Sequence, residues 1–107
     1  MEPIYHPETD ELQFSLVLAA LSDPLRLAIV RRLAASDSGI ACNGLGGAAY
    51  KTKLSYHLRI LREAGVTRTR AEGTTRLVSL RRDDLETRFP GLIDIVLNAQ
   101  PEPAELL

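Results

Sequence analysis

The sequence is poor in the residues from which small domains build covalent or metal cross-links. It contains one cysteine, two histidines and no tryptophan among 107 residues. The single cysteine, Cys42, can neither form an internal disulfide nor complete a thiolate zinc cage by itself. These shortages exclude a disulfide scaffold and a zinc finger, and we expect no bound metal or cofactor.

Long hydrophobic runs are also missing. The longest apolar stretches, residues 16–21 and 95–97, fall far short of the roughly 20 residues that a membrane-spanning helix needs. Acidic residues precede the first apolar stretch, whereas a secretory signal begins with positive charge. We therefore expect a cytoplasmic protein without membrane contact. Its length predicts a single domain over residues 1–107, with a short N-terminal arm (1–8) and a C-terminal tail (100–107).

Charge is distributed unevenly along the chain, although the formal net charge is only −1. Residues 1–25 carry −5, residues 26–50 carry +2, residues 51–82 carry +7 and residues 83–107 carry −5. A basic middle between acidic ends is typical of a polyanion-binding element, because lysines and arginines placed near phosphates release condensed counterions. A solvated basic face without a partner is the alternative.

Helical periodicity dominates the first third of the chain. A first helix is predicted to begin at about Thr9, which would cap it, and to continue to about Leu21. Asp23 suits the N-cap of a second helix and Pro24 suits its first position. This helix should run to about Ala35, with Arg26, Arg31 and Arg32 on its wetter face.

Residues 36–49 are rich in glycine, which disfavours helix. They predict a loop with at most a short helix around Ala41–Leu45. A phosphate-binding loop is disfavoured, because there is no Gly-Lys-Ser/Thr ending and no preceding strand.

The next helix, from about residue 51 to 63, has two contrasting faces. Leu54, Leu58 and Leu61 form an apolar stripe, and the opposite face carries Thr52, Ser55, Tyr56 and Arg59. Gly65 suits a left-handed helix terminator. A β-hairpin should follow, with its turn at Gly73 and with Arg68, Arg70 and Arg76 along it. Asp83 or Asp84 would cap a final helix, interrupted at Pro90-Gly91 and resuming from Leu92 to Ala99.

This order of predicted helices and strands indicates a mainly α fold with a β-hairpin wing. The expected fold is a winged helix-turn-helix, in which four helices precede the hairpin and a fifth follows it. An α-helix fits the major groove of B-DNA, and hairpin arginines can reach flanking phosphates. The partner is then a double-stranded DNA operator. The residues expected to contact DNA are Lys51, Thr52, Lys53, Ser55, Tyr56, Arg59 and Arg62 on the helix and Arg68, Arg70 and Arg76 on the hairpin.

Two motifs carry a family resemblance. Asp23-Pro24-x-Arg26 and Ser55-x-His57-Leu58-x-x-Leu61, together with the hairpin sequence of residues 72–80, resemble the ArsR/SmtB family of bacterial repressors over roughly residues 12–99. The resemblance implies a homodimer joined by the first and last helices, with the helix at about 51–63 in the major groove. It also implies release from the operator by an inducer.

Metal sensing does not carry over with the resemblance. Some family members bind metal through paired cysteines just before the recognition helix, but here only Cys42 lies before that helix. Others bind metal through histidine and acidic residues on the last helix, but here residues 83–99 contain no histidine. A thiophilic metal needs several such ligands, so a site within one chain is not expected. Cys42 is expected to be a small buried side chain of the core, and a thiol-sensing role is the alternative. His57 is expected to have a structural role in a semi-buried position, and a ligand or base contact is the alternative.

An enzymatic function is not expected, because no nucleophile–base pair or cofactor loop occurs. Ser55 and His57 point in different directions on a helix. A winged helix that binds another protein without reading DNA is the alternative function. It would require apolar anchors on the outer helix face, and that face is polar.

Overall fold

A computed structural model describes residues 4–45 and 51–99 of the chain, apart from the side chains of Asn43, Lys51 and Thr52. Over these residues the protein is mainly helical, with one small three-stranded antiparallel sheet, an architecture compatible with a winged helix. The helices are α1 (Phe14–Ala20), α2 (Pro24–Ala34), α3 (Lys51–Ala64), α4 (Arg82–Arg88) and α5 (Leu92–Asn98), and the strands are β1 (Ile40–Ala41), β2 (Thr67–Glu72) and β3 (Thr75–Leu80). No helix among these residues is long and apolar enough to cross a membrane.

The start of α2 follows local sequence signals, as predicted. The Asp23 carboxylate accepts hydrogen bonds from the backbone N–H groups of Leu25 (2.8 Å) and Arg26 (3.1 Å). Pro24 occupies the first turn, where its missing N–H has no intrahelical acceptor to lose. Asp23 is therefore the N-cap of α2.

The end of α3 also matches its prediction. Gly65 adopts φ +89°, and the N–H groups of Gly65 and Val66 donate to the carbonyls of Arg62 and Leu61. These two bonds form a Schellman motif, which satisfies carbonyls that the helix end leaves open. A Cβ at Gly65 would overlap the side chain of Leu12. Glycine is thus required there both by conformation and by space.

The wing hairpin, β2 and β3, has the predicted turn. Glu72 pairs with Thr75 across a two-residue loop whose first residue, Gly73, has φ +62°. A positive φ at that position is what a type II′ hairpin turn requires. The sheet order is β1-β3-β2, so the edge of β3 that faces away from β2 is covered by the short strand β1.

The core joins the helices to the inner face of this sheet. The predicted stripe of α3 is buried, and it packs with side chains from α1, α2, the sheet and the last two helices. Helix α2 contributes three fully buried residues, and α1, α3, β3, α4 and α5 contribute one each to this set, which is Ile29, Val30 and Leu33 from α2 with Val17, Leu61, Val78, Leu85 and Ile93.

The first helix begins later than predicted. Thr9–Glu11 forms one turn of 3-10 helix, and α1 starts at Phe14. Thr9 does not cap a helix; its hydroxyl donates to the carboxylate of Asp84 at 2.8 Å, and its carbonyl accepts from Arg88 at 2.7 Å. These contacts with α4 hold the chain away from a continuous helix in this segment.

The helix order differs from the predicted one in two places. The loop with at most a short helix that was predicted around Ala41–Leu45 contains a single 3-10 turn, Cys42–Gly44, and no α-helix, so among the residues that the structure describes three α-helices and not four precede the hairpin. Strand β1 was not predicted; Ile40 and Ala41 pair with Val78 and Leu77. The predicted interruption at Pro90-Gly91 is present, because α4 ends at Arg88, Gly91 has φ +88° and α5 begins at Leu92. Within the described part of the chain, two helices therefore follow the hairpin, where the predicted order has only a fifth helix. Neither Asp83 nor Asp84 caps α4. Arg81 holds the N-cap position, and Asp84 accepts hydrogen bonds from Arg81 and Thr9 instead.

Candidate nucleic-acid interface

The outer face of α3 is polar and open. Ser55, Tyr56 and Arg59 are exposed, whereas Leu54, Leu58 and Leu61 on the opposite side are buried. The Arg59 guanidinium lies 6.0 Å from the centre of the Tyr56 ring, within the range of a cation–π contact. This face therefore offers hydroxyl and guanidinium groups side by side, with no aliphatic side chain between them.

The remaining predicted residues of this helix occupy different surroundings. Lys53 is exposed and close enough to His57 to lower the pKa of that imidazole. Arg62 is half-buried, its Nε has no hydrogen-bond partner within the described residues, and its charge lowers the pKa of His6. Arg62 thus lies towards the N-terminal segment. Lys51 and Thr52 begin the helix, and their side chains lie outside the described part of the protein.

The three arginines of the wing hairpin do not share one face. Arg68 and Arg70 alternate with the buried Thr67 and Thr69, so they project from the outer face of β2. Arg76 pairs with Ala71 and projects from the other face, where it is exposed near the hairpin tip. The sequence predicts all three along the hairpin, and the strand register shows which face each one occupies.

Two wing arginines have acidic neighbours. Arg70 forms an exposed ion pair with Glu72 at 3.0 Å, and Arg68 lies 3.7 Å from the carboxylate of Asp84. The pair of Arg70 with Glu72 is local in sequence, whereas the contact between Arg68 and Asp84 joins the wing to α4 and is not evident from the sequence. Both arginines remain more than half exposed and can exchange these weak surface pairs for phosphates.

The contact between Arg26 and α3 was missed at the sequence level, where Arg26 was assigned to the wetter face of α2. Its guanidinium is half-buried and donates to the carbonyl of Ala20 at 2.6 Å through Nε, and it meets Nδ1 of His57 at 3.0 Å. Arg26 therefore links the end of α1, the start of α2 and the middle of α3. The only signal in the sequence was the motif Asp23-Pro24-x-Arg26 itself.

His57 is buried, as predicted, and is only 8% exposed. Burial lowers the pKa of its imidazole, Arg26 and Lys53 lower it further, and Asp23 opposes them. Burial alone would raise the pKa of the Asp23 carboxyl, but the backbone N–H groups that it accepts outweigh burial and hold this pKa below its ordinary value. At neutral pH the site contains a neutral imidazole beside a charged carboxylate and a charged guanidinium.

The N-terminal segment lies against the base of the wing. Pro7 is buried and its carbonyl accepts from Arg81 at 2.7 Å, while Arg81 also donates to Asp84 at 2.9 Å. Burial tends to raise the pKa of Asp84, but hydrogen bonds from Arg81 and Thr9 lower it overall. The N-terminal segment therefore contacts the wing through His6 and the start of α4 through Pro7.

Cys42 is half-buried, and burial raises the pKa of its thiol, although Arg76 partly opposes this. A raised pKa leaves less of the reactive thiolate at neutral pH. In residues 4–45 and 51–99, no group of three or more histidine, cysteine or acidic side chains is placed to hold a metal ion.

An apolar surface lies on the first and last helices. Phe14 is 49% exposed and Ile95 is 68% exposed, and the Phe14 and Phe89 rings lie 5.0 Å apart. Together with Pro90 and Leu92, these residues line a shallow groove of about 250 Å³. Large apolar side chains grouped in this way on a small domain are typical of a protein–protein contact.

Comparison with known proteins identifies a relative in Bacillus subtilis (strain 168). It is the uncharacterised HTH-type transcriptional regulator YceK, which is 40% identical over 89 residues. The match covers 81% of this chain and 89% of the relative. No family model matches the chain.

Proposed function

The chain belongs to the HTH-type transcriptional regulators, and from the two motifs that resemble the ArsR/SmtB family we propose that it is a sequence-specific repressor of that type. The observation that carries the proposal is the outer face of α3, where exposed Ser55, Tyr56 and Arg59 lie opposite a buried leucine stripe. Such a face presents donors and acceptors to base edges while the rest of the helix remains anchored in the domain.

In this proposal α3 enters the major groove and the wing hairpin contacts the flanking backbone. Lys51, Thr52, Lys53, Ser55, Tyr56 and Arg59 contact bases or nearby phosphates, and Arg62 contributes a phosphate contact at the end of the helix. Arg68 and Arg70 on one face of the hairpin, and Arg76 at its tip, neutralise further phosphates. The exposure of Lys53, Ser55, Tyr56 and Arg59 supports these roles on the helix, and the charge and exposure of the hairpin arginines support them on the wing.

We further propose that residues 1–107 form one winged domain that acts as a homodimer through α1 and α5. The exposed side chains of Phe14 and Ile95 support this, because a second copy would remove them from water. A dimer presents two α3 helices to one face of DNA, which predicts an operator with imperfect two-fold symmetry. Binding of an inducer would then release the repressor, in the cytoplasm and without catalysis.

The decisive experiment is selection of bound duplexes from a pool of random oligonucleotides, followed by titration of the recovered duplex against salt. We expect an imperfect palindrome with half-sites about 10 base pairs apart, or a multiple of that spacing. The logarithm of affinity should fall steeply and linearly with the logarithm of salt concentration. Recovery of no common sequence, together with a flat salt response, would instead favour a winged helix that binds another protein.

A further inference from the structure

Arg26 holds α3 against the rest of the domain through one imidazole nitrogen. Its guanidinium donates to the carbonyls of Ala20 (2.6 Å) and Ala19 (3.4 Å) at the end of α1 and lies 3.0 Å from Nδ1 of His57. A guanidinium has only donors, so Nδ1 must act as the acceptor and must carry no proton. The contact therefore exists only while His57 is neutral, with its proton on Nε2.

Burial favours the neutral form of His57, and the charges of Arg26 and Lys53 favour it further, whereas the carboxylate of Asp23 favours the protonated form. Arg26 and Asp23 approach it from α2, and Lys53 approaches it from one turn earlier on α3. Helix α1 contributes no charged residue, and Glu63 lies further along α3, where it lines a separate groove together with Arg26 and the end of α1. A proton added to His57 would meet the Arg26 guanidinium at hydrogen-bond distance, so the contact would be replaced by repulsion.

His57 is also joined to the outer face of α3. Its ring meets the edge of the Tyr56 ring with centroids 5.3 Å apart, and the Arg59 guanidinium lies over Tyr56. A shift of α3 that separates His57 from Arg26 would therefore move Tyr56 and Arg59 as well, because all three are fixed on one rigid helix.

We propose that the contact between Arg26 and His57 positions α3 for DNA, and that protonation of His57 releases this contact and weakens DNA binding. The inference rests on the proposed function. Arg26 and His57 are positioning residues here, since they act through Tyr56 and Arg59 and do not touch DNA themselves.

The sign of the effect distinguishes it from ordinary electrostatics. Acidification adds positive charge to a DNA-binding protein, and added positive charge by itself tightens binding to phosphates. Loss of the contact between Arg26 and His57 predicts the opposite, weaker binding at lower pH.

The experiment measures binding of the full chain to a fluorescein-labelled duplex recovered by the selection above, at constant salt, between about pH 7.5 and about pH 5.5. For the wild type we expect affinity to fall about fivefold or more over this range. In His57→Asn the amide oxygen can replace Nδ1 as an acceptor and does not titrate, so affinity should change by less than about twofold. His57→Leu, which lacks an acceptor, should bind more weakly than His57→Asn at every pH.

His6→Gln is the matched control, because His6 is the other histidine and also has a lowered pKa. This variant should keep the pH response of the wild type. Circular dichroism at each pH establishes that every variant remains folded.

The outcomes distinguish failure of the positioning role from failure of the proposed DNA-binding function. Wild-type affinity that is constant or increases on acidification overturns the positioning role, as does an unchanged pH response in His57→Asn. Loss of the response in His6→Gln alone assigns it to the N-terminal segment and also overturns the inference. Failure of the wild type to bind any recovered duplex at about pH 7.5 overturns the proposed function, and the inference with it.

Discussion

Nε2 of His6 accepts a hydrogen bond from the backbone N–H of Thr69 at 3.0 Å. Thr69 lies in β2, an edge strand of the sheet, and its N–H points away from the partner strand β3. An open strand edge can pair with another chain, and a side-chain acceptor on the edge blocks this. The contact thus attaches the N-terminal segment to the wing at the strand most exposed to unwanted pairing.

The first prediction is that stability falls on mild acidification. Burial lowers the pKa of His6, as do Arg68, Arg62 and Arg81, and burial also lowers the pKa of His57. Both contributions are fully present above the unfolded-state pKa of about 6.5 and are lost as the pH falls through the folded-state values. Chemical denaturation should show a smaller free energy of unfolding at about pH 5 than at about pH 7.

A matched variant measures how much of this loss of stability is due to His6. In His6→Gln the amide oxygen can accept from Thr69 without titrating, so the decline between about pH 7 and about pH 5 should be shallower. Asp23 and Asp84 have lowered pKa values, and their contributions are lost only below the ordinary carboxylate range of about 4. An identical decline in the variant and the wild type would contradict the role given to His6.

The second prediction concerns Arg59 as a base-reading residue. Arg59→Ala should weaken binding to the selected operator by about 1–3 kcal/mol, because a bidentate contact with a guanine would be lost. Arg59→Lys keeps the charge but lacks the planar fork, so it should also weaken binding and relax preference at one base position. Equal affinity of the wild type and Arg59→Lys would indicate a phosphate contact instead.

The third prediction concerns the wing. Arg70→Ala should weaken binding to all duplexes about equally and reduce the slope of log affinity against log salt by about one. Arg76→Ala removes one positive charge from the opposite face of the hairpin, and it should have a similar effect if the hairpin tip contacts the phosphate backbone. A changed base preference with an unchanged slope would show that the substituted arginine reads bases.

The fourth prediction tests the dimer. Ile95 is 68% exposed, so Ile95→Asp should leave the fold intact while placing a charge in the proposed contact of α1 and α5. Sedimentation should show dimers of the wild type and monomers of the variant at micromolar concentration, and operator affinity should fall in parallel. A monomeric wild type that retains tight operator binding would contradict the dimer.

Local sequence signals determined several boundaries of the fold. Asp23-Pro24 starts α2, Gly65 ends α3 and Gly73 turns the wing hairpin, each where the sequence predicted it. The two faces of α3 were predictable for the same reason, because helical period alone separates Leu54, Leu58 and Leu61 from Ser55 and Arg59. Such features involve residues within about four positions of each other, whose geometry the backbone itself dictates.

Tertiary structure decided the partners of the polar side chains. His57 meets Arg26 across 31 positions, Thr69 meets His6 across 63, and Asp84 meets Thr9 across 75. It also turned Ile40 and Ala41 into a strand, since the open edge of β3 offered backbone partners that no local pattern reveals. Thr9 and Asp84 each have a good local role in the sequence as a helix cap, and Arg26 has one as an exposed charge. In the folded protein they pair with distant residues instead, because burying a polar group without a partner is costly and packing leaves only the distant partner within reach.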